Sequence, residues 1–277
     1  MTQTFFSVVI PTYNRASFIG KSLGSVLKQS YPHFEVIVAD DGSDDDTANI
    51  VSNHDDKRVR YLYHPNHGVS YARNRALEIS RGEFIAFLDS DDRWTGDKLE
   101  RTADNIMASP GIKIFHTEEI WFKNGKLLPQ KDKHTKPTGY VYKNALPLCC
   151  ISISTAVIHR EVFDKTGLFD ENLEACEDYD FWLRATSRYE VKLIPESLTI
   201  KDGGRKDQLS SSVWGLDRFR IKALVKMLES GILNTENRRL TLEELEKKCL
   251  IFAAGSEKRG KSDEAEYYRK LPEKYLR

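Results

Sequence analysis

FIAFLDSDD, residues 84–92, is the stretch on which the fold of this chain turns. Five apolar residues, Phe84 to Leu88, run directly into Asp89, Ser90, Asp91 and Asp92. A short apolar run ended at once by polar residues has the form of a strand buried on both faces. Three acids within four residues repel one another, by up to about 4 kcal/mol per pair at 4 Å with an effective dielectric near 20. A partly enclosed cluster of this kind needs a cation or protons.

Toward the N-terminus the same pattern recurs. Phe5 to Ile10 is apolar and β-branched and is stopped by Pro11, and Phe34 to Ala39 runs into Asp40, Asp41, Gly42 and Ser43. Val59 to Tyr63 makes a third strand. Between the strands, Phe18, Ile19, Leu23, Val26 and Leu27 recur at helical spacing, a short helix follows Ser43, and Val69 to Ser80 forms another. Strands alternating with helices of this length predict an α/β protein with a doubly wound, largely parallel, Rossmann-like sheet. Ligands of such sheets sit beyond the carboxyl ends of the strands. Thr12 to Arg15, Asp40–Asp41 and Asp89 to Asp92 are therefore expected at one crevice.

Beyond Ile112 the pattern changes to short β-like runs at 112–115, 120–122, 126–128 and 153–159, joined by a polar loop at 130–139. A helix is expected over 178–188, with Glu177 and Asp178 at its start. Residues 201–212 read as a Gly-, Ser- and charge-rich loop, and 213–228, 240–254 and 262–271 as helices. The expected divisions are 1–111, a mixed extension over 112–200, and a loop with a helical tail over 201–277.

Lys and Arg total 42, as do Asp and Glu, so no global charge points to nucleic acid. The slightly basic tail allows at most weak peripheral membrane contact. Cys149, Cys150, Cys176 and Cys249 show no zinc or disulfide spacing, and reduced thiols are expected. The seven histidines show no metal-ligand pairing. With no apolar run approaching the roughly 20 residues of a membrane span, a cytoplasmic location is the expectation.

Five stretches together are recognisable: VVIPTYNR (8–15), VIVADDGSDDDT (36–47), GVSYARNRAL (68–77), FIAFLDSDD (84–92) and CEDYDFWLRA (176–185). In order and spacing they resemble the family 2 glycosyltransferases of GT-A fold, over roughly residues 5–200. The resemblance implies a metal-dependent, inverting transfer of a sugar from a nucleoside-diphosphate sugar, UDP favoured, to a glycan or other hydroxyl acceptor in cell-surface glycan synthesis. It makes Asp89, Asp91 and Asp92 the candidate ligands of a divalent cation, Mn2+ or Mg2+. Hard cations of this class suit one or two carboxylates plus substrate phosphates. It places Pro11, Thr12, Tyr13, Arg15, Asp40, Asp41, Arg73, Asp89 and Ser90 at the nucleotide. Asp178, with Glu177 beside it, takes the place of the catalytic base. Trp94 is a candidate for the sugar site, and Arg205 or Lys206 for reaching a phosphate. The Gln-x-x-Arg-Trp motif of processive synthases is absent, and no histidine follows Glu196 to serve as a C-terminal ligand.

Each motif has a plainer alternative. One acid of the Asp89–Asp92 cluster could cap a helix beginning near Trp94 or Lys98, and DDGS is ordinary turn chemistry. Glu177 and Asp178 could serve only the dipole of their helix, and Arg73 a salt bridge. A strand followed by Asp-x-Asp also opens haloacid-dehalogenase-like phosphatases, with Asp89 as nucleophile. A non-catalytic sugar-nucleotide-binding or scaffold module is the third alternative.

Overall fold

The computed structural model describes residues 3–130, 134–204 and 213–276. Strands β1 (Phe6–Thr12), β2 (Phe34–Asp40), β3 (Val59–Tyr63) and β4 (Phe84–Phe87) lie in the order β3-β2-β1-β4, all parallel. Helices α1 (Ala16–Leu27), α2 (Thr47–Ser52) and α3 (Val69–Ile79) connect them. The period of two along each strand divides the core. Phe6, Val8, Ile10, Val36, Val38, Phe84 and Ala86 face one apolar layer, which also holds Ile19 and Leu23 of α1. Val9, Ile37, Ala39, Ile85 and Phe87 face the other, with Ala72 and Ala76 of α3. Both faces of the sheet are thus covered, which is why its strands read as unbroken apolar runs.

β1 runs two residues past the Ile10 boundary expected from Pro11. Opposite β1, β4 pairs only as far as Val9, so the missing N–H of Pro11 falls beyond that ladder.

The sheet continues without a break into the second stretch. β4 pairs antiparallel with β8 (Val157–His159), β8 with β6 (Ile114–Lys123), and β6 parallel with β9 (Val191–Gly203). β5 (Asp92–Trp94) closes the edge antiparallel to β9, and β7 (Lys126–Leu127) hairpins onto β6. The separate runs expected at 112–115 and 120–122 are one strand, and Ile153–Thr155 is a single 3-10 turn. The largest departure is β9, because residues 201–203, read as loop, are its end. Pro195 disguised the strand. The pairing jumps from Thr117–Ile194 to Glu118–Ser197, so Pro195 sits in a bulge where no ladder donor is needed.

Helices α4 (Lys98–Ala108), α5 (Tyr142–Ala145), α6 (Arg160–Thr166) and α7 (Glu177–Thr186) complete this part. The tail forms α8 (Asp217–Glu229), α9 (Thr235–Lys258) and α10 (Ser262–Lys270). Ile221, Leu224, Leu245 and Cys249 of the tail pack with Tyr179 and Leu183 of α7, so the tail braces the helix that carries the acid pair. Among the described residues, no helix is long and apolar enough to cross a membrane.

Candidate active site

The carboxyl ends of β1, β2 and β4 open onto a cavity of about 730 Å³. Pro11, Thr12, Tyr13, Arg15, Asp41, Arg73, Asp89, Ser90, Asp91, Asp92, Glu177 and Asp178 all line it, so the structure gathers residues spread over more than half of the chain. Asp40 is the exception. Its carboxylate is buried and accepts from the Ser43 N–H at 2.8 Å and from the Tyr61 hydroxyl; partial burial of that hydroxyl and its bond to Asp40 raise the Tyr61 pKa. For Asp40 the turn alternative describes the contacts.

Asp41 reaches the cavity but is held from behind. Its two oxygens accept from the N–H groups of His67 and Gly68, each at 2.8 Å, which fixes the turn into α3. Opposite it, Asn14 adopts a left-handed backbone (φ 50°) stabilised by bonds to Ser43 and Asp44. Tyr13, 47 % exposed, stands beside it at the cavity wall.

The acid cluster does not start a helix directly. After Asp89 the chain turns, with the Asp92 N–H bonded to the Asp89 carbonyl at 3.0 Å, and enters β5; α4 begins only at Lys98. Ser154 organises this turn. Its buried hydroxyl accepts from the Asp89 N–H at 3.1 Å and donates to Asp92 Oδ2 at 2.7 Å. Asp92 is also 3.2 Å from Lys201 Nζ. Burial, and the nearby charges of Asp89 and Asp91, push the Asp92 carboxyl upward, while the Lys201 ammonium and the Ser154 hydroxyl favour its charged form. Trp94 is not in the cavity wall. It is buried, with its indole N–H donating to the Ser154 carbonyl at 2.8 Å.

Arg73 joins the two ends of the site. It is buried on α3 and donates to Asp89 Oδ1 at 3.0 Å and to Glu177 Oε1 at 2.5 Å. Burial holds the Glu177 carboxyl above its usual range, with Arg73 pulling the other way. Cys176, which precedes the acid pair, is left-handed (φ 61°), an uncommon conformation for this residue type. It turns the chain so that α7 starts at the cavity wall. Asp178 Oδ1 accepts from the Tyr179 N–H at 2.7 Å and Oδ2 from the Cys149 thiol at 3.2 Å, contacts that fix its rotamer. Burial and the Asp178 charge push the Cys149 thiol well up.

The donor set suits a divalent cation held jointly with a ligand. Asp89, Asp91 and Asp92 line the cavity and carry the hard oxygen atoms that such an ion takes. Among the described residues, no group of three His, Cys, Asp or Glu side chains could hold a metal unaided. Substrate oxygens would have to complete the shell, as magnesium sites commonly require. Arg205 and Lys206 lie outside the described residues. Lys201, Cys149 and Arg220 also line the cavity and escaped the sequence reading. The β-branched residues of 191–200 were the available signal for Lys201, because a strand there carries that residue to the strand-end crevice.

A doubly wound α/β fold with acids gathered at its strand ends around one cavity defines the class. The model of the family described as Glycosyl transferase family 2 matches residues 7–167. "Putative teichuronic acid biosynthesis glycosyltransferase TuaG" of Bacillus subtilis is 36 % identical over 181 residues, covering 64 % of this chain and 70 % of that protein. An Escherichia coli protein named UDP-Glc:alpha-D-GlcNAc-diphosphoundecaprenol beta-1,3-glucosyltransferase WfgD is 34 % identical over 184 residues, covering 66 % of this chain and 70 % of that one. An uncharacterised glycosyltransferase of Rickettsia felis is longer, with 32 % of its length covered at 32 % identity over 71 % of this chain. The crystal structure of S. aureus TarS 1-349 with UDP-GlcNAc shares the GT-A fold, with a TM-score of 0.74 at 24 % identity over 90 % of this chain and 73 % of that one. The chain belongs to glycosyltransferase family 2.

Proposed function

We propose that the protein transfers a sugar, with inversion, from a UDP-sugar to a hydroxyl of a lipid-linked intermediate in cell-surface glycan synthesis. The observation that carries this reading is the single cavity lined at one end by Asp89 and Asp91 and at the other by Asp178, with Arg73 tied to both ends. Support for the donor and acceptor comes from similar proteins: the WfgD name specifies UDP-Glc and a diphosphoundecaprenol acceptor, and the TarS structure holds UDP-GlcNAc.

In this reading Pro11 to Arg15 and Asp41 hold the nucleoside. Asp89 and Asp91 would hold a Mn2+ or Mg2+ ion, which when bound offsets the charge of the leaving diphosphate. Asp178, its rotamer fixed by Tyr179 and Cys149, takes the proton from the acceptor hydroxyl as that oxygen attacks the anomeric carbon from the face opposite the diphosphate. Glu177 holds Arg73 and does not itself move the proton. No protonated general acid is needed at the leaving group, in contrast to paired-carboxylate glycosidases.

Thermal shifts with UDP, GDP, dTDP and their sugars, with and without Mn2+, test the donor, and UDP species should stabilise most. Asp178→Asn should then abolish transfer to a diphosphoundecaprenol-linked sugar while leaving UDP binding nearly intact. Equal loss of both in a folded variant would sink the base assignment. UDP binding without transfer to any acceptor would favour the non-catalytic module.

A further inference from the structure

Lys201 and Asp92 face each other across the antiparallel β5–β9 pair, so their side chains share one face of the sheet. Lys201 Nζ lies 3.2 Å from Asp92 Oδ2 and donates to Ser152 Oγ at 2.9 Å. A lysine ammonium has three N–H donors. Among the described residues, Ser152 and Asp92 take two of them, which leaves one for a ligand oxygen. The Lys201 side chain is 29 % exposed, in the wall of the same cavity as Asp89 and Asp91.

Asp92 is differently placed from those two acids. The residue is only 3 % exposed, and Oδ2 receives both the Ser154 hydroxyl and the Lys201 ammonium. A divalent ion bound at that oxygen would have to displace an ammonium group or sit against it. Like charges at such a distance in a poorly solvated site repel strongly.

We infer that Lys201 is a resident cation for the donor's diphosphate, and that Asp92 is the residue that positions it and not a ligand of the divalent ion. The inference rests on the nucleotide-sugar reading above. It divides the acid cluster by role: Asp89 and Asp91 face the metal, while Asp92 carries the charge that keeps a lysine in the wall. A compact ammonium meets a phosphate oxygen as a point charge, a common mode of phosphate binding by lysine.

Calorimetric titration with inorganic pyrophosphate, UDP and uridine, in EDTA and then in Mn2+, separates these roles. In EDTA, Lys201→Met should weaken pyrophosphate and UDP by about 10- to 100-fold, the loss of one charge-assisted hydrogen bond. Uridine binding should not change, and Lys201→Arg should retain most of the diphosphate affinity. Lys201→Gln keeps a donor for Ser152 and serves if the methionine variant does not fold. Asp91→Asn should remove the gain in UDP affinity that Mn2+ gives, and Asp92→Asn should keep that gain. Unchanged diphosphate binding in folded Lys201→Met, or loss of the Mn2+ gain in Asp92→Asn, would overturn the inference alone. Failure of the wild-type protein to bind UDP or pyrophosphate in either condition would overturn both it and the nucleotide-sugar reading.

Discussion

Arg73 Nη1 lies 2.5 Å from Glu177 Oε1, a contact between residues 104 positions apart, and both side chains are buried. Because the same guanidinium also holds Asp89, the two acidic motifs of the site form one network. Removing one member of a buried ion pair leaves an uncompensated charge, typically at a cost of about 3–5 kcal/mol. Arg73→Met should therefore lower stability to urea by that amount. Adding Glu177→Gln should recover part of the loss, and additive effects of the two substitutions would show that the pair is not coupled.

Ser154 is the hinge of the acid turn, accepting from the Asp89 N–H and donating to Asp92. Ser154→Ala removes the acceptor of the Asp89 N–H and leaves Asp92 to Lys201 alone, and should cost about 1–3 kcal/mol in chemical denaturation. Because the turn sets where Asp89 and Asp91 stand, more Mn2+ should be needed for half-maximal stabilisation by UDP. An unchanged Mn2+ requirement would limit Ser154 to a role in stability.

His116 supplies a pH dependence of stability. It is fully buried on β6, its Nε2 is 2.8 Å from the Pro137 carbonyl, and burial, with the charges of Lys136 and Lys98, lowers its pKa to about 4. Between its ordinary value of 6.5 and about 4, the unfolded chain binds a proton that the native protein does not. Its stabilising contribution is therefore whole above pH 6.5 and falls as the pH drops toward 4, by up to about 3 kcal/mol. His116→Gln keeps a donor for Pro137 without titrating. Melting curves from pH 7.5 to 4.5 should fall less steeply for this variant than for the wild type, and parallel curves would exclude the histidine as the cause.

Gly82 marks the turn into β4. A Cβ there would lie 2.4 Å from the Ser7 nitrogen and 2.8 Å from the Phe6 carbonyl carbon, both backbone atoms that cannot swing aside. The same turn bonds the Gly82 and Arg81 N–H groups to Ser7 Oγ. Gly82→Ala should cost at least about 1–3 kcal/mol, the usual range for overpacking. A melting temperature within 1 °C of wild type, taken as roughly the resolution of such a scan, would refute the contact.

The parallel half of the sheet was legible because it is buried on both faces. Each apolar run, from Phe6, Phe34 and Phe84, states its strand directly, and the polar residues that end the runs, acids after the second and third, state where the ligand side lies. β9 was not legible, because Pro195 and the polar residues around it only make sense once the bulge opposite Glu118 is known. Without that strand, Lys201 read as part of a loop and Asp92 as one more acid of a cluster.

Burial pattern and motif order, which are local properties of the chain, determined by themselves that this is a doubly wound α/β protein with acids at its strand ends. Only the tertiary structure decided which acids share a partner. Asp92 with Lys201, Asp89 and Glu177 with Arg73, and Asp178 with Cys149 are contacts across 16 to 109 residues of chain. Side-chain charge and hydrogen bonding at such separations follow from which strands pair and in what register, and no local spacing encodes that.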